Sequence, residues 1–482
     1  MTTTYSAEGV IESLDPFATI PAWLAAPMQP ACVAGSLRTH VAELASGEVV
    51  LQACTADRLR AKGAEWLVRY TLRLAWPDGR EQECVLVGRL FGPQASIPAS
   101  APNVGSVAVG DVGWSCFLPD LRLELRTQAL DDALPALPKL VDPSAAAELL
   151  QPLLRQAGYS DATIAECEPV VVRYKPGSRC TVVVRMSYVD TTVVERPPDP
   201  VVVKTHQGDK GESAWEAMTA LWNRSETWGH AVRLAEPIAY LPDERILVQG
   251  PVPEERTLKE LAREAIRSGE PEQLDRLRSE LGKTARALAA LHLSGARYAR
   301  SADLDGELEE VTEVVQRLSL SVPELDAAAE PLLRLLRERA AGTPADPVVP
   351  AHHDFRPAQV LLHGGELGFI DFDGSAMAEP ALDLGRFRAK LRDIGISTLG
   401  VIEGSVDPRV PHNLALLDDL CDHFLNAYQE HAPVSTDRVL LWETCDLVTT
   451  MLHAWTKVRL ARLEPRLATL VHQLRSSGLL AG

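Results

Sequence analysis

A polar loop, His352-His353-Asp354-Phe355-Arg356-Pro357-Ala358-Gln359, runs directly into the apolar stretch Val360-Leu361-Leu362, and Phe369-Ile370-Asp371-Phe372-Asp373 follows shortly afterwards. One acid lies in a loop and a second lies inside what reads as an apolar strand. Magnesium-assisted phosphoryl transfer needs this division. One carboxylate accepts or orients the proton of the attacking hydroxyl, and another holds the metal that bridges the phosphates. Asp354 suits the first task and Asp371 the second. Taken singly, a His-Asp pair before a strand is usually a capped turn, and an acid at a strand end is usually solvated. Order and spacing together carry the reading.

The pattern resembles the loop of the aminoglycoside phosphotransferase and choline kinase superfamily, the phosphotransferase enzyme family. There an H-x-D-x-x-x-x-N loop precedes an aspartate on an I-D-F/W-D strand, and a later D-L-A/G aspartate braces the loop. The resemblance assigns His352 and Asp383 to structural support of the loop and Asp354 to catalysis. It assigns Gln359 and Asp371 to the metal and implies ATP and magnesium; on that reading Arg356, in the same loop, is the candidate to neutralise charge on the transferred group. Two positions depart from the family. Gln359 stands where asparagine is usual, and its extra methylene moves the amide oxygen outward; His353 replaces a glycine.

From Glu168 onward the chain reads as a two-lobed kinase plan. The β-branched run Val170–Tyr174, the turn Lys175-Pro176-Gly177-Ser178 and the run Cys180–Met186 make a hairpin. Its turn around Gly177 is placed to approach nucleotide phosphates, although a single glycine ordinarily marks just a tight turn. Pro200-Val201-Val202-Val203-Lys204 ends in a lysine where kinases put the one that grips the α and β phosphates. The helix that follows carries Glu212 and Glu216 one turn apart. Either suits the ion pair that fixes such a lysine, and Glu216, deeper in the helix, is favoured. By resemblance, Gln249 to Val252 is the hinge facing the adenine edge, and His292, ending an L-x-x-L-H helix, is a packing or capping residue.

The expected fold is α+β: a protein-kinase-like fold with a small antiparallel-sheet lobe carrying one helix and a large helical lobe, preceded by an extra N-terminal α+β domain. Boundaries fall at 1–142, 143–252 and 253–482. In the N-terminal region the steps from Gly63 to Arg89 parallel those from Gly177 to Lys204, and Phe117-Leu118-Pro119-Asp120 echoes Tyr240-Leu241-Pro242-Asp243. This reads as a degenerate copy of the small lobe. Gly92 to Val107, rich in Pro, Ser, Ala and Gly, supplies no helix and no acid to pair with Arg89. Any two antiparallel sheets share some strand and turn spacing, which is the plainer explanation. The segment Asp303 to Thr343, rich in Glu, Leu and Arg at helical period, is by resemblance a wall of the acceptor pocket, or else a solvated helix face.

A formal net charge of -18 argues against binding a nucleic-acid backbone. It fits a neutral or cationic acceptor better. The eight cysteines are scattered, with no Cys-x-x-Cys spacing that suggests zinc or a redox pair. No apolar run approaches the length of a membrane span, and the acidic segment Met1 to Phe17 is unlike a signal peptide, so a cytoplasmic enzyme is expected. The sequence thus points to an ATP- and magnesium-dependent kinase acting on a hydroxyl of a small molecule. The alternative is a pseudokinase, a binding or scaffold protein that keeps the fold.

Overall fold

A computed structural model describes residues 6–62, 65–97, 109, 114–127, 134–175, 177–189, 197–224, 232–399 and 410–480. The chain forms two compact units: residues 1–130, 305–341 and 445–482 in the first, and 131–304 and 342–444 in the second. This differs from the expected boundaries, because the acid-rich insertion and the last helices join the N-terminal residues. Buried aromatic groups explain the grouping. Trp66 Nε1 donates to Ser321 Oγ at 3.1 Å, and Trp455 Nε1 donates to the Phe17 carbonyl at 2.8 Å with the Phe17 ring edge-on to it.

The first unit holds strands β1 (Val50–Lys62), β2 (Glu65–Ala75), β3 (Glu81–Leu90), β4 (Ser115–Leu118) and β5 (Leu123–Thr127) in one antiparallel sheet of order β1-β2-β3-β5-β4. Alternation along β3 turns Cys84, Leu86 and Leu90 inward. The helix Pro30–His40 buries Val33 and Leu37. Gly63 and most of the Gly92 to Val107 stretch lie outside the described residues.

The small lobe of the second unit contains β6 (Ile164–Lys175), β7 (Arg179–Tyr188), β8 (Val201–His206), β9 (Arg233–Leu234), β10 (Pro237–Leu241) and β11 (Ile246–Gln249). Five of these form an antiparallel sheet of order β10-β11-β8-β7-β6. Its inward face, Cys180, Val182, Val184, Val201, Val203, Ile246 and Val248, packs with Leu150, Leu153 and Leu154 of the helix Pro143–Gln156. Asp142 caps that helix by accepting the Ala145 N–H at 2.8 Å.

Taken in chain order, the two sheets have the same strand sequence: first, second, third, fifth, fourth. Their registers agree as well. Arg89 lies opposite Leu67 and Glu124, as Lys204 lies opposite Thr181 and Leu247; Phe117 faces Glu124 as Tyr240 faces Leu247. Both fourth-to-fifth hairpins use a Leu-Pro-Asp turn ending in a left-handed arginine, Arg122 at φ 51° and Arg245 at φ 54°. Each of these arginines donates its N–H to the proline carbonyl, at 3.3 Å in both turns.

The large lobe of the second unit is built on helices Leu258–Ser268, Pro271–His292, Ala381–Leu399 and Val410–Gln429, with short strands β12 (Arg256–Thr257), β13 (Val349–Ala351), β14 (Val360–His363), β15 (Glu366–Phe369) and β16 (Ala376–Ala378). β14 and β15 pair antiparallel, with β12 and β9 on either side, and β13 pairs with β16. The first helix starts with a reciprocal capping box between Thr257 and Glu260. Beneath the polar loop, Phe355 packs on Phe369 and Phe387, whose ring stacks on Phe424 at 4.1 Å. Gly385 lets the helix Ala381–Leu399 approach Trp442 and Glu443, because a Cβ there would sit 2.5 Å from the Glu443 nitrogen.

Candidate active site

The polar loop lies between β13 and β14, with Pro357–Gln359 forming one 3-10 turn. Asp383, fully buried at the start of the helix Ala381–Leu399, accepts the N–H groups of His352 at 2.6 Å and His353 at 2.8 Å. It also meets His292 Nε2 at 3.1 Å, while His292 Nδ1 lies 2.8 Å from the Tyr428 hydroxyl. Burial works against a charged Asp383, but the hydrogen bond and charge of His292 and the contacts of His352 outweigh it and hold the carboxyl below its usual range. His352 Nε2 reaches the Ile370 carbonyl at 3.0 Å, and the Ile370 N–H donates to the Gln359 carbonyl at 3.1 Å. These bonds lock the loop to the segment carrying Asp371. His353, at the position where the resembled family has glycine, is left-handed at φ 68°, a backbone that glycine adopts freely.

The structure corrects the reading of Asp371 as a strand residue. β15 ends at Phe369, and Asp371 sits beyond it at φ 73°, ψ 54°. A 3-10 turn, Phe372–Gly374, follows and brings Asp373 back alongside. Lys204 Nζ lies 3.1 Å from Asp371 Oδ1 and 3.0 Å from Asp373 Oδ1. Arg179 reaches Asp373 at 3.0 Å and Asp371 at 3.6 Å, and His206 Nε2 reaches Asp373 at 3.0 Å. Desolvation opposes the charges of Lys204, Asp371 and Asp373. The two aspartates overcome it for Lys204 and push its ammonium above the usual value; Lys204 in turn leads the interactions that hold Asp371 low and, together with His206, Asp373 well below the ordinary carboxylate range.

The expected ion pair of Lys204 with a helix glutamate is absent. In the helix Lys210–Trp222 the buried positions are Gly211, Ala214, Ala217, Met218 and Leu221, and both Glu212 and Glu216 are exposed. Glu216 Oε1 accepts the Ala299 N–H at 2.9 Å instead. Helical spacing keeps its carboxylate off the buried face.

Asp354 is 39% exposed and carries Arg356 at 3.1 Å. Gln359 Nε2 donates to Asp371 Oδ2 at 2.9 Å, so the sequence-derived metal pair is adjacent in space. Gly177 is left-handed at φ 65°, and the Ser178 N–H closes its turn on the Lys175 carbonyl at 3.0 Å; Pro176 lies outside the described residues. Gln249 is buried at the end of β11, the Gly250 N–H donates to the Glu236 carbonyl at 2.8 Å, and Val252 packs against Gly368.

Among the described residues no three His, Cys, Asp or Glu side chains cluster as metal ligands. Magnesium fits such a place nonetheless, since it takes one or two protein oxygens and completes its shell with phosphates and water. Asp371 offers a carboxylate, and a half-turn of the Gln359 amide presents its oxygen. Two side chains on Asp373 each keep a buried polar atom without a partner among the described residues, Arg179 Nε and His206 Nδ1.

Sequence reasoning missed Arg179, His206 and Asp373. The signal was present for two of them. His206 follows Lys204 by two strand positions and so shares its face, and Arg179 is directly opposite His206 in the β7–β8 ladder.

Comparison with known proteins matches residues 196–399 to the model of the phosphotransferase enzyme family. No curated protein matches the sequence. Among solved structures, a glucosamine kinase is similar at 19% identity and TM-score 0.45, covering 95% of this chain and 98% of its own. A choline/ethanolamine kinase family protein from Mesorhizobium loti matches at 15% identity and TM-score 0.43, over 69% of this chain and 97% of that one. A choline kinase from Streptococcus pneumoniae matches at 14% identity and TM-score 0.43, over 68% and 99%. Residues 196–399, where the braced loop, the acid pair and Lys204 all fall, are thus similar to the phosphotransferase enzyme family.

Proposed function

We propose that the protein transfers the terminal phosphoryl group of ATP to a hydroxyl of a small molecule. One observation carries this reading: Lys204 of the small lobe meets Asp371 behind the polar loop at 3.1 Å, while Asp354 of that loop stays open to solvent. Asp354 orients the acceptor hydroxyl and takes its proton. Arg356, held on Asp354 at 3.1 Å, faces the charge that develops on the transferred group. Lys204 exchanges its contact with Asp371 for phosphate oxygens when nucleotide enters, and Arg179 stands beside it. Asp371 and Gln359 would hold magnesium, which when bound would supply charge neutralisation across the phosphates. Gln249 to Val252 is the segment assigned to the adenine edge. The net charge of -18 favours a neutral or cationic acceptor.

A coupled ADP-release screen across amino sugars, plain sugars, amino alcohols and small peptides, with Asp354→Asn as control, tests the proposal. Acceptor-dependent ADP release by the unaltered protein and none by the variant supports it; equal release from both removes Asp354 from the chemistry. The pseudokinase alternative predicts no acceptor-dependent release in any arm.

A further inference from the structure

We infer that Asp373, clamped by His206, is the residue that positions Lys204, and that the helix glutamate of the kinase plan does not serve this protein. The inference rests on the nucleotide reading above and adds the device that holds the lysine. A lysine that grips phosphate must keep one anionic partner when the metal-binding carboxylate turns away to its cation, otherwise its flexible stem loses its aim. Two kinds of residue are available: the acids of the helix Lys210–Trp222 and the acid after Asp371.

The helix acids are turned away. The buried positions of that helix are Gly, Ala, Met and Leu, and Glu216 is committed to the Ala299 N–H at 2.9 Å. Asp373 is placed quite differently. Its side chain is 9% exposed, and each oxygen has a separate duty: Oδ1 meets Lys204 Nζ at 3.0 Å, and Oδ2 meets His206 Nε2 and Arg179 Nη1, both at 3.0 Å. His206 stands two positions beyond Lys204 on the same face of β8, so one strand supplies both the lysine and the group that fixes its partner. The 3-10 turn Phe372–Gly374 that carries Asp373 packs against the helix Lys210–Trp222. The helix thus supports the acid instead of providing it. Asp371 differs again: one oxygen faces Lys204 and the other Gln359, leaving it able to turn to a cation while Asp373 keeps the lysine.

Calorimetric titration of the full chain with ADP, once in EDTA and once with magnesium, tests this. Asp373→Asn is expected to weaken ADP binding about tenfold or more in both conditions, whereas Glu216→Gln changes it by less than about twofold. The double variant Lys204→Ala/Asp373→Asn should bind no more weakly than Lys204→Ala alone, because a residue acting through the lysine adds nothing once it is gone. Should Asp373→Asn fail to give a cooperative melt, His206→Gln, which keeps a polar group at the same place, should still show a weakening of the same sign in EDTA. Weakening by Glu216→Gln with none from Asp373→Asn or His206→Gln overturns the inference, as does an Asp373→Asn effect confined to magnesium, which would mark a metal ligand. In both of those outcomes the parent protein still binds ADP and the proposed function stands. Absence of ADP binding by the parent protein in either buffer instead defeats the functional reading, and this inference with it.

Discussion

Asp383 takes the backbone N–H of His352 at 2.6 Å from 31 residues further along the chain, and both groups are wholly buried. The loop that carries Asp354 is therefore shaped by a carboxylate in the next helix. Asp383→Ala leaves the N–H groups of His352 and His353 without that acceptor. Buried donors stranded by loss of a charged acceptor cost about 1–3 kcal/mol each, so chemical unfolding should show a destabilisation of ~2–5 kcal/mol. A variant as stable as the parent would mean that the loop is held by something else.

The same residue sets an acid limit. Its folded-state carboxyl is held below the ordinary 3.8, so the stabilisation is complete above that unfolded-state value and fades as pH falls through the lower folded value. Thermal unfolding between about pH 3 and 6 should show a midpoint that is level at the upper end and drops below pH ~4. Asp383→Asn should start lower and drop less. Parallel curves would show that other acids account for the whole effect.

Asp354→Asn keeps the shape of the side chain and removes its basicity. Turnover should fall by about 10²–10⁴-fold, the usual range for a general base. ADP affinity should stay within about twofold, since Asp354 contacts Arg356 and not Lys204. A variant that lost ADP binding would place Asp354 on the nucleotide side.

Gln359→Ala removes the amide next to Asp371 at 2.9 Å but leaves Lys204 and Asp373 in place. The magnesium concentration for half-maximal ADP release should rise by roughly tenfold, with ADP affinity in EDTA unchanged. An unaltered magnesium requirement would restrict Gln359 to a structural hydrogen bond.

Glu443 lies fully buried between Arg388 and Arg392, with Nε–Oε distances of 2.6 Å to each. Replacing it by Gln leaves two guanidinium groups in the core with weaker partners. Loss of one member of a buried ion network costs ~3–5 kcal/mol, and denaturant unfolding should report a fall of that size without loss of ADP affinity at the folded limit. Destabilisation under about 1 kcal/mol would mean that the outer acids Asp418 and Asp422 suffice to hold both arginines.

The shape of the polar loop was legible because its residues are local in sequence: His352, Gln359 and Asp371 are brought together by two short strands and a 3-10 turn. The order of the small-lobe strands was legible for the same reason, since hairpins announce themselves through turns such as Leu241-Pro242-Asp243. The partner of Lys204 was not. Sequence spacing pointed to Glu212 or Glu216 and passed over Asp373, and the outcome was decided by which face of one helix is apolar, a matter of packing between Ala214, Ala217 and their neighbours. The grouping of residues 305–341 with the N-terminal unit was hidden likewise, because amphipathic helices declare that they need a surface and not which one.

The left-handed backbone of Asp371 sets folding against use. Glycine would adopt φ 73° without the roughly 1 kcal/mol that a β-carbon pays there, and so would relax that bend. A chain so eased would gain conformational comfort at the one point where it surrendered the carboxylate that meets Lys204 and Gln359, so a more contented backbone there comes only with a dismantled cluster.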